Sequence, residues 1–429
     1  MRHGRRAGAV ALAVVAAVAV GAGSRSDVTP PPPLYSEGVV AGPGGEPVAV
    51  PPGGVRGLAL PPLATRVQRY ADLRADALRD LDLMVLDGGP GDGAVLAGLR
   101  GPWRYSWTRD SAWASAALAL ERRPADALRV LAAVQRAEQR RAGLGRAGWQ
   151  ARYLPDGSGR TPDRRGVQLD GPGWVLWAAS VWASSVSDPA HQRAGLESLR
   201  PLLVSAAAAA RDSVDPRTGL TRPSADYWEL RTSVTTLGVA APVLAGLRAA
   251  GPLLDALDLP ADAAASRAAA ARLDAAIERT FGARGYPRKV GGGARDTSVA
   301  WLTPPFGPAR ASSLAARDAA FRDAARAVGG VAPGASWEDN GVAWTPETAA
   351  FALSFAASGQ RARAEQVLDW LEAHRTSMGS LPEKVGPDGA PVSVAPLSWT
   401  AAAVLLTLAE LDGRGSAAMT TAVVATTGS

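Results

Sequence analysis

The chain of 429 residues contains no cysteine, so disulfides, thiolate metal sites and cysteine nucleophiles are excluded. Histidine is nearly as scarce, with only His3, His191 and His374. A His-rich metal site has almost no material to be built from, and a serine triad would have to recruit His191 or His374, which both sit in polar surroundings beside helical patterns. Lysine occurs only as Lys289 and Lys384, so the formal charge of +6 is nearly all arginine. Those arginines are scattered along helical patterns next to Asp and Glu, as solvated i,i+4 faces are. No basic run with interleaved aromatics exists, which argues against a nucleic-acid partner. Strand-forming runs are thin as well, and the abundant Ala, Leu and Arg point to a mostly helical protein.

What is present has a clear order. Arg2, His3, Arg5 and Arg6 precede the apolar run Ala7 to Gly23. That is the pattern of an export signal, or of an N-terminal membrane anchor if it is not cleaved after Ala22, Gly23 or Ser24. Residues 1–23 are therefore read as leader and the protein as extracytoplasmic, secreted or tethered to the outer face of the membrane. Residues 24–62 are rich in Pro and Gly, including Pro30 to Pro33 and Pro51-Pro52-Gly53-Gly54. They read as a linker, because they forbid regular helix and offer little to bury. Residues 63–412 form the globular domain, and 413–429 a small, polar, disordered tail.

Within 63–412 the apolar spacing predicts about twelve helices. They fall near 65–86, 110–121, 124–141, 170–186, 191–213, 231–250, 253–257, 261–281, 309–328, 345–358, 361–375 and 398–411. Tight connections alternate with long aromatic loops such as 143–169 and 284–308. This suits a ring of helical hairpins whose long loops gather at one end.

Tryptophan is the unusual component, at 13 against 6 Tyr and 5 Phe. Trp113, Trp174, Trp177 and Trp182 have helical spacing and read as core. Trp103, Trp107, Trp149, Trp301 and Trp337 fall in loops or at helix starts. There a flat ring with one N–H can lie under a sugar or cap the core equally well. Between Tyr105 and Ser111 runs Tyr-Ser-Trp-Thr-Arg-Asp-Ser. Arg109 offers a fork of donors and Asp110 offers acceptors, a pair able to grip adjacent hydroxyls; Asp110 as a helix cap is the simpler alternative. Asp170, in Gln168-Leu169-Asp170-Gly171-Pro172-Gly173, reads as an N-cap. Glu229 follows Tyr227-Trp228 and precedes a helical face of Leu237, Ala240, Ala241, Leu244 and Leu247. It is expected at the mouth of that helix, between flat apolar surfaces that favour a protonated carboxyl. Glu383 stands in a loop after Pro382, with Lys384 beside it to favour its ionised form.

In this order, Tyr-x-Trp-Thr-Arg-Asp-Ser, Gln-Leu-Asp-Gly-x-Gly, Tyr-Trp-Glu, and Leu-Pro-Glu followed by Ala-Pro-Leu-Ser-Trp, the motifs resemble glycoside hydrolase family 15. This is the glucoamylase-like family, and the likeness covers about Arg66 to Leu411. The resemblance implies an all-α (α/α)6 barrel of six hairpins. It implies an inverting hydrolase that removes terminal α-linked glucose, with Glu229 as general acid and Glu383 as general base. The carboxyls of an inverting pair stand about 6.5–9.5 Å apart to admit a water. It further implies that Arg109 and Asp110 bind the non-reducing glucose and that Trp107 and Trp228 line that subsite. Tyr105, Asp170 and Trp337 are added as candidate substrate contacts. No metal and no organic cofactor is expected, the partner being a small glucoside or oligosaccharide and the protein a monomer. Two departures bear on the substrate. Leu230 stands where fungal members carry a second carboxylate, and neither a β-sandwich nor a starch-binding module flanks the barrel. Short or soluble glucosides fit better than raw starch. The competing readings are a trehalase-like hydrolase and a non-catalytic carbohydrate-binding or scaffold protein on the same barrel.

Overall fold

The computed structural model describes residues 31–35, 39–41, 47–49, 65–145 and 148–415. The leader 1–23, most of the linker and nearly all of the tail lie outside the described residues.

Twelve α-helices occur among the described residues. They are α1 (Ala71–Met84), α2 (Thr108–Leu120), α3 (Pro124–Gly143), α4 (Asp170–Ser185), α5 (Pro189–Ser198) and α6 (Arg200–Ser213), followed by α7 (Leu237–Asp255), α8 (Pro260–Thr280), α9 (Ala311–Asp323), α10 (Thr345–Ala357), α11 (Arg361–Ala373) and α12 (Ser398–Leu411). A 3-10 segment, Thr297–Leu302, lies between α8 and α9.

These elements build two rings. The inner ring is α2, α4, α7, the 3-10 segment, α10 and α12, each packed on the next, with α12 closing back on α2. The outer ring is α1, α3, α6, α8, α9 and α11, and its members alternate with the inner ones along the chain. Composition decides which ring a helix joins. Every residue of α2 and α12 is buried. In α3, by contrast, a single stripe through Ala127, Val130, Leu131 and Val134 is buried. α7 is apolar and long enough to cross a membrane, but it is an inner-ring helix enclosed by protein. On the ring's interior Trp113, Trp174, Trp177, Trp301 and Phe306 meet at centroid distances of 5.0–5.5 Å, several of them edge to face. That geometry suits the ring quadrupoles.

The boundaries differ from the sequence expectation at four places. The stretch 191–213 is two helices, broken at Leu199, with Asp188 capping α5 and Pro201 in the first turn of α6. The patterns at 231–250 and 253–257 are one helix, which starts only at Leu237 and runs through Pro242 and Pro252. The expected loop 284–308 supplies the fourth inner wall, its 3-10 turn capped by Asp296. The linker is not a bare spacer: β1 (Val39–Ala41) pairs antiparallel with β2 (Pro47–Ala49). Its Pro32–Tyr35 run also lies along Ser393, where Tyr35 N donates to Ser393 O at 2.8 Å. Proline-rich chain is already extended and can pair at an edge without losing a needed donor.

The approach of α4 to α7 depends on glycine. A Cβ on Gly173 would lie 2.2 Å from the carbonyl oxygen of Pro242, and one on Gly246 would lie 2.4 Å from Gly173 Cα. Gly173→Ala is expected to lower the unfolding free energy by about 1–3 kcal/mol, as overpacking does. Gly143→Ala, where a Cβ meets nothing within 4 Å, serves as the unaffected control; denaturant titration reads both.

Candidate active site

Because inner and outer helices alternate, the inner ones all run the same way and begin at the same end of the ring. The loops that feed them therefore meet there, around a cleft of about 270 Å³. Helix N-termini carry unpaired N–H groups and a positive partial charge, so acidic and oxygen-rich groups are favoured at this end.

The first wall is the run before α2. Strand β3 (Ser106–Trp107) pairs antiparallel with β4 (Arg152–Tyr153), placing Trp107 opposite Arg152. This fixes Arg109 and Asp110 in the buried first turn of α2. Arg109 Nη1 donates to Asp170 Oδ2 at 3.4 Å, and its guanidinium lies 4.8 Å from the ring centre of Trp399. Its Nε is buried without a hydrogen bond, with Asp110 Oδ2 3.9 Å away. Burial pushes the Asp110 carboxyl up to about 6, against the pull of Arg109.

The second wall is the turn that carries Glu229. Asp226 is fully buried, and Arg288 Nη2 donates to both of its carboxylate oxygens at 2.7 Å. Asp226 Oδ1 accepts from Trp228 N at 3.0 Å, and its carbonyl accepts from Glu229 N at 2.7 Å. The same guanidinium stacks on Trp228, 4.0 Å from the ring centre. The turn leaves Glu229 at φ +57°, a left-handed conformation that non-glycine residues adopt only when their surroundings impose it. Glu229 is thus not at a helix start, since α7 begins only at Leu237. Trp107 Nε1 donates to Glu229 Oε1 at 2.5 Å, Arg109 Nη2 stands 3.8 Å from the same oxygen, and Arg165 is ion-paired to Oε2. The flat apolar flanks expected from the sequence are joined by two guanidinium groups.

The third wall carries Glu383, just before β6 (Lys384–Val385), the middle strand of a small sheet with β5 (Ala343–Trp344) and β7 (Pro391–Val392). Trp103 Nε1 donates to Glu383 Oε1 at 3.2 Å, the Ser393 hydroxyl donates to Oε2, and Lys384 Nζ lies 3.5 Å from Oε2. Asp80 of α1 anchors the preceding loop by accepting from Ser380 Oγ at 2.8 Å and Leu381 N at 3.0 Å. Trp228, Trp337 and Trp344 form an edge-to-face row along the cleft, with centroids 4.8 and 5.3 Å apart.

Of the residues singled out from sequence, Glu229, Glu383, Arg109, Asp110, Trp107, Trp228 and Trp337 all line this cleft. Tyr105 and Asp170 do not. Tyr105 lies beneath the Arg152 guanidinium at 4.8 Å. Asp170 is the first residue of α4 rather than its cap, and it holds Arg109 from behind. Trp149 and Trp301 belong to the core. Trp103, left open between sugar and core, and Lys384, expected beside Glu383, line the cleft too, as do Arg152, Arg165, Trp344, Glu347 and Trp399, to which sequence reasoning gave no site role. Trp399 closes the Ala-Pro-Leu-Ser-Trp motif; Trp344 and the two arginines carried no signal, and Glu347 looks like an ordinary helix-start acid. Among the described residues no group of three or more Asp, Glu or His is placed to hold a metal ion.

No family model and no curated protein is matched by this sequence. Solved structures are matched. A structure described as a wild-type glycosidase is 24% identical, covering 82% of this chain and 100% of that one, with a TM-score of 0.66. A bacterial glucoamylase complexed with acarbose is 16% identical over 84% of this chain and 58% of that one, at a TM-score of 0.66. The glucoamylase of Saccharomycopsis fibuligera is 14% identical over 84% and 98%, at 0.65. The fold is that of the glucoamylase-like glycoside hydrolases of family 15. In this glucoamylase-like barrel the Asp226–Arg288 clasp sets the Glu229 turn, and breaking a buried ion pair leaves a charge uncompensated. Asp226→Ala is expected to destabilise the protein by about 3–5 kcal/mol. Leu230→Ser, at an exposed neighbour, should change stability by less than about 0.5 kcal/mol in the same denaturant titration.

Proposed function

We propose that this chain is an exported, exo-acting glycoside hydrolase that removes terminal α-linked glucose from oligo- or disaccharides with inversion. The observation that carries the proposal is that one cleft holds two carboxyls on separate walls, each oriented by its own indole N–H: Glu229 by Trp107 and Glu383 by Trp103. An inverting hydrolysis needs such a pair, one to give a proton and one to take it. The fold neighbours lend support, since one glycosidase variant is described in complex with glucose and the bacterial glucoamylase with acarbose. Export rests on the leader pattern of residues 1–23.

In this mechanism Glu229 gives its proton to the glycosidic oxygen as the bond to the anomeric carbon breaks. A water on the opposite face attacks that carbon, and Glu383 takes the proton it releases. Trp103 and Ser393 donate to the Glu383 oxygens and Lys384 stands beside them, which orients the carboxyl for that transfer. Arg109, whose buried Nε makes no hydrogen bond, and Asp110 beside it supply a donor and acceptors for neighbouring hydroxyls. Trp228 and Trp337 offer faces and edges for the sugar's C–H surface.

Glu229→Gln and Glu383→Gln should each lower kcat on a cleaved α-glucoside by about 10²–10⁴-fold, the usual range for one acid–base group. Unfolding midpoints should stay unchanged, and full turnover in either variant would reject that residue's role. Assays on maltose, isomaltose and trehalose select the linkage. Proton NMR of the first product should show β-glucose, whereas α-glucose would reject inversion.

A further inference from the structure

Glu347 is a carboxyl of the cleft that no step above uses. It lies in the first turn of α10, is 2% exposed, and faces the same space as Glu383 and Arg109. Its Oε2 is buried and has no hydrogen-bond partner in the chain. Buried polar atoms are nearly always paired, and one left open inside a pocket points to a ligand. Several indole N–H groups of the core, and carboxylate oxygens such as Asp170 Oδ1 and Asp296 Oδ2, also lack a hydrogen bond, so the weight rests on Glu347 lining the cleft, where a ligand can reach it, as those two carboxylates do not.

We propose that Glu347 is a substrate-binding residue that stands as a neutral carboxylic acid and donates a hydrogen bond from Oε2 to a hydroxyl of the bound sugar beside Glu383. The inference rests on the glycosidase reading and deepens it. A neighbouring carboxyl at a buried site disfavours the charged form, and it does so most for the group with fewer donors. Glu383 has Trp103, Ser393 and Lys384, while Glu347 has its own backbone N–H. The charged and titratable groups facing Glu347 are Glu383 and Lys384 from the β6 wall, Arg109 from α2 and Tyr227 from the turn before α7. From α12, Leu397 and Trp399 reach the cleft and do not titrate. The 3-10 segment is preceded by Asp296, which is tied to Ser298 and Arg288. Burial, together with the charge of Glu383, pushes Glu347 up to about 8, against the pull of its own N–H, Arg109 and Lys384.

A helix-start glutamate serving only the dipole would be solvated and ionised. A neutral carboxyl differs from the arginine and indole donors around it because it presents a donor and an acceptor together, the complement of a hydroxyl. A site built to bond a hydroxyl rejects the analogue that lacks it, so Glu347 would make one sugar hydroxyl obligatory. As a neutral acid it cannot take a proton from water, which leaves Glu383 as the only base among the two.

The test is steady-state kinetics on a cleaved α-glucoside, from about pH 5 to about pH 9.5, for the wild type, Glu347→Gln and Glu347→Leu. The wild-type KM should be flat below about pH 8 and rise above it as the donor is lost. Glu347→Gln keeps a neutral donor and should hold KM near the wild-type value at pH 7 and lose the alkaline rise. Glu347→Leu should raise KM about tenfold across the range, the size of one lost hydrogen bond, with kcat changed less. A set of monodeoxy substrates should contain one that is discriminated against by the wild type and not by Glu347→Leu. Wild-type behaviour in the Leu variant, or a KM rise that persists in the Gln variant, would overturn the assignment. So would a collapse of kcat in Glu347→Gln to the level of Glu383→Gln, because Glu347 would then be the base. If the wild type cleaves no glucoside, the glycosidase reading falls and this inference falls with it, an outcome distinct from an active enzyme indifferent to residue 347.

Discussion

Closure of the inner ring, with α12 packed back on α2, is the constraint on which everything else depends. Once the ring is closed and each inner helix is followed by an outer one, the inner helices must all point the same way. Their N-termini then share one end, and the loops that enter α2, α4, α7, α10 and α12 reach the cleft. This is why residues 103–110, 226–229, 333–347 and 383–399, far apart in sequence, bound a single space. The close approach of α4 and α7 through Gly173 and Gly246, and the indole cluster inside the ring, hold that closure.

Within the cleft, charge is sorted by local donors rather than by overall balance. Glu229 is met by Trp107, Arg109 and Arg165; Glu383 by Trp103, Ser393 and Lys384. Asp110 and Glu347 are buried with poorer sets of donors, and burial pushes both upward. Four carboxyls near one another thus have four different environments, which is how one site can hold acids and bases side by side. The supports reach outward: Asp226 and Arg288 behind Glu229, Asp170 behind Arg109, Asp80 behind the Glu383 loop.

Much of the fold was legible. Apolar periodicity marks where the helices lie, although it merges α5 with α6, starts α1 and α7 early and ends α9 late, and the contrast between wholly buried α2 or α12 and the striped α3 separates inner from outer. The total of twelve nevertheless came from two offsetting differences, a helix divided at Leu199 and two patterns fused across Pro252. The 3-10 wall at Thr297–Leu302 has no length or periodicity to announce it. Neither does the pairing of Pro32–Tyr35 with Ser393, which depends on a partner far along the chain.

By itself, the sequence determined the helical class, the absence of thiol chemistry, the scarcity of histidine, and the motif order that brought Glu229, Glu383, Arg109 and Asp110 forward. Those follow from residue types and local spacing, which the chain carries wherever it is placed. Only the tertiary structure decided that Glu229 sits in a strained turn instead of a helix mouth, that Asp170 braces Arg109 and Tyr105 lies under Arg152, and that Glu347 is a buried carboxyl with one oxygen unpaired in the cleft that holds Glu383. Burial, hydrogen-bond partners and backbone angles are properties of the closed ring, and no stretch of sequence contains them until the ring has formed.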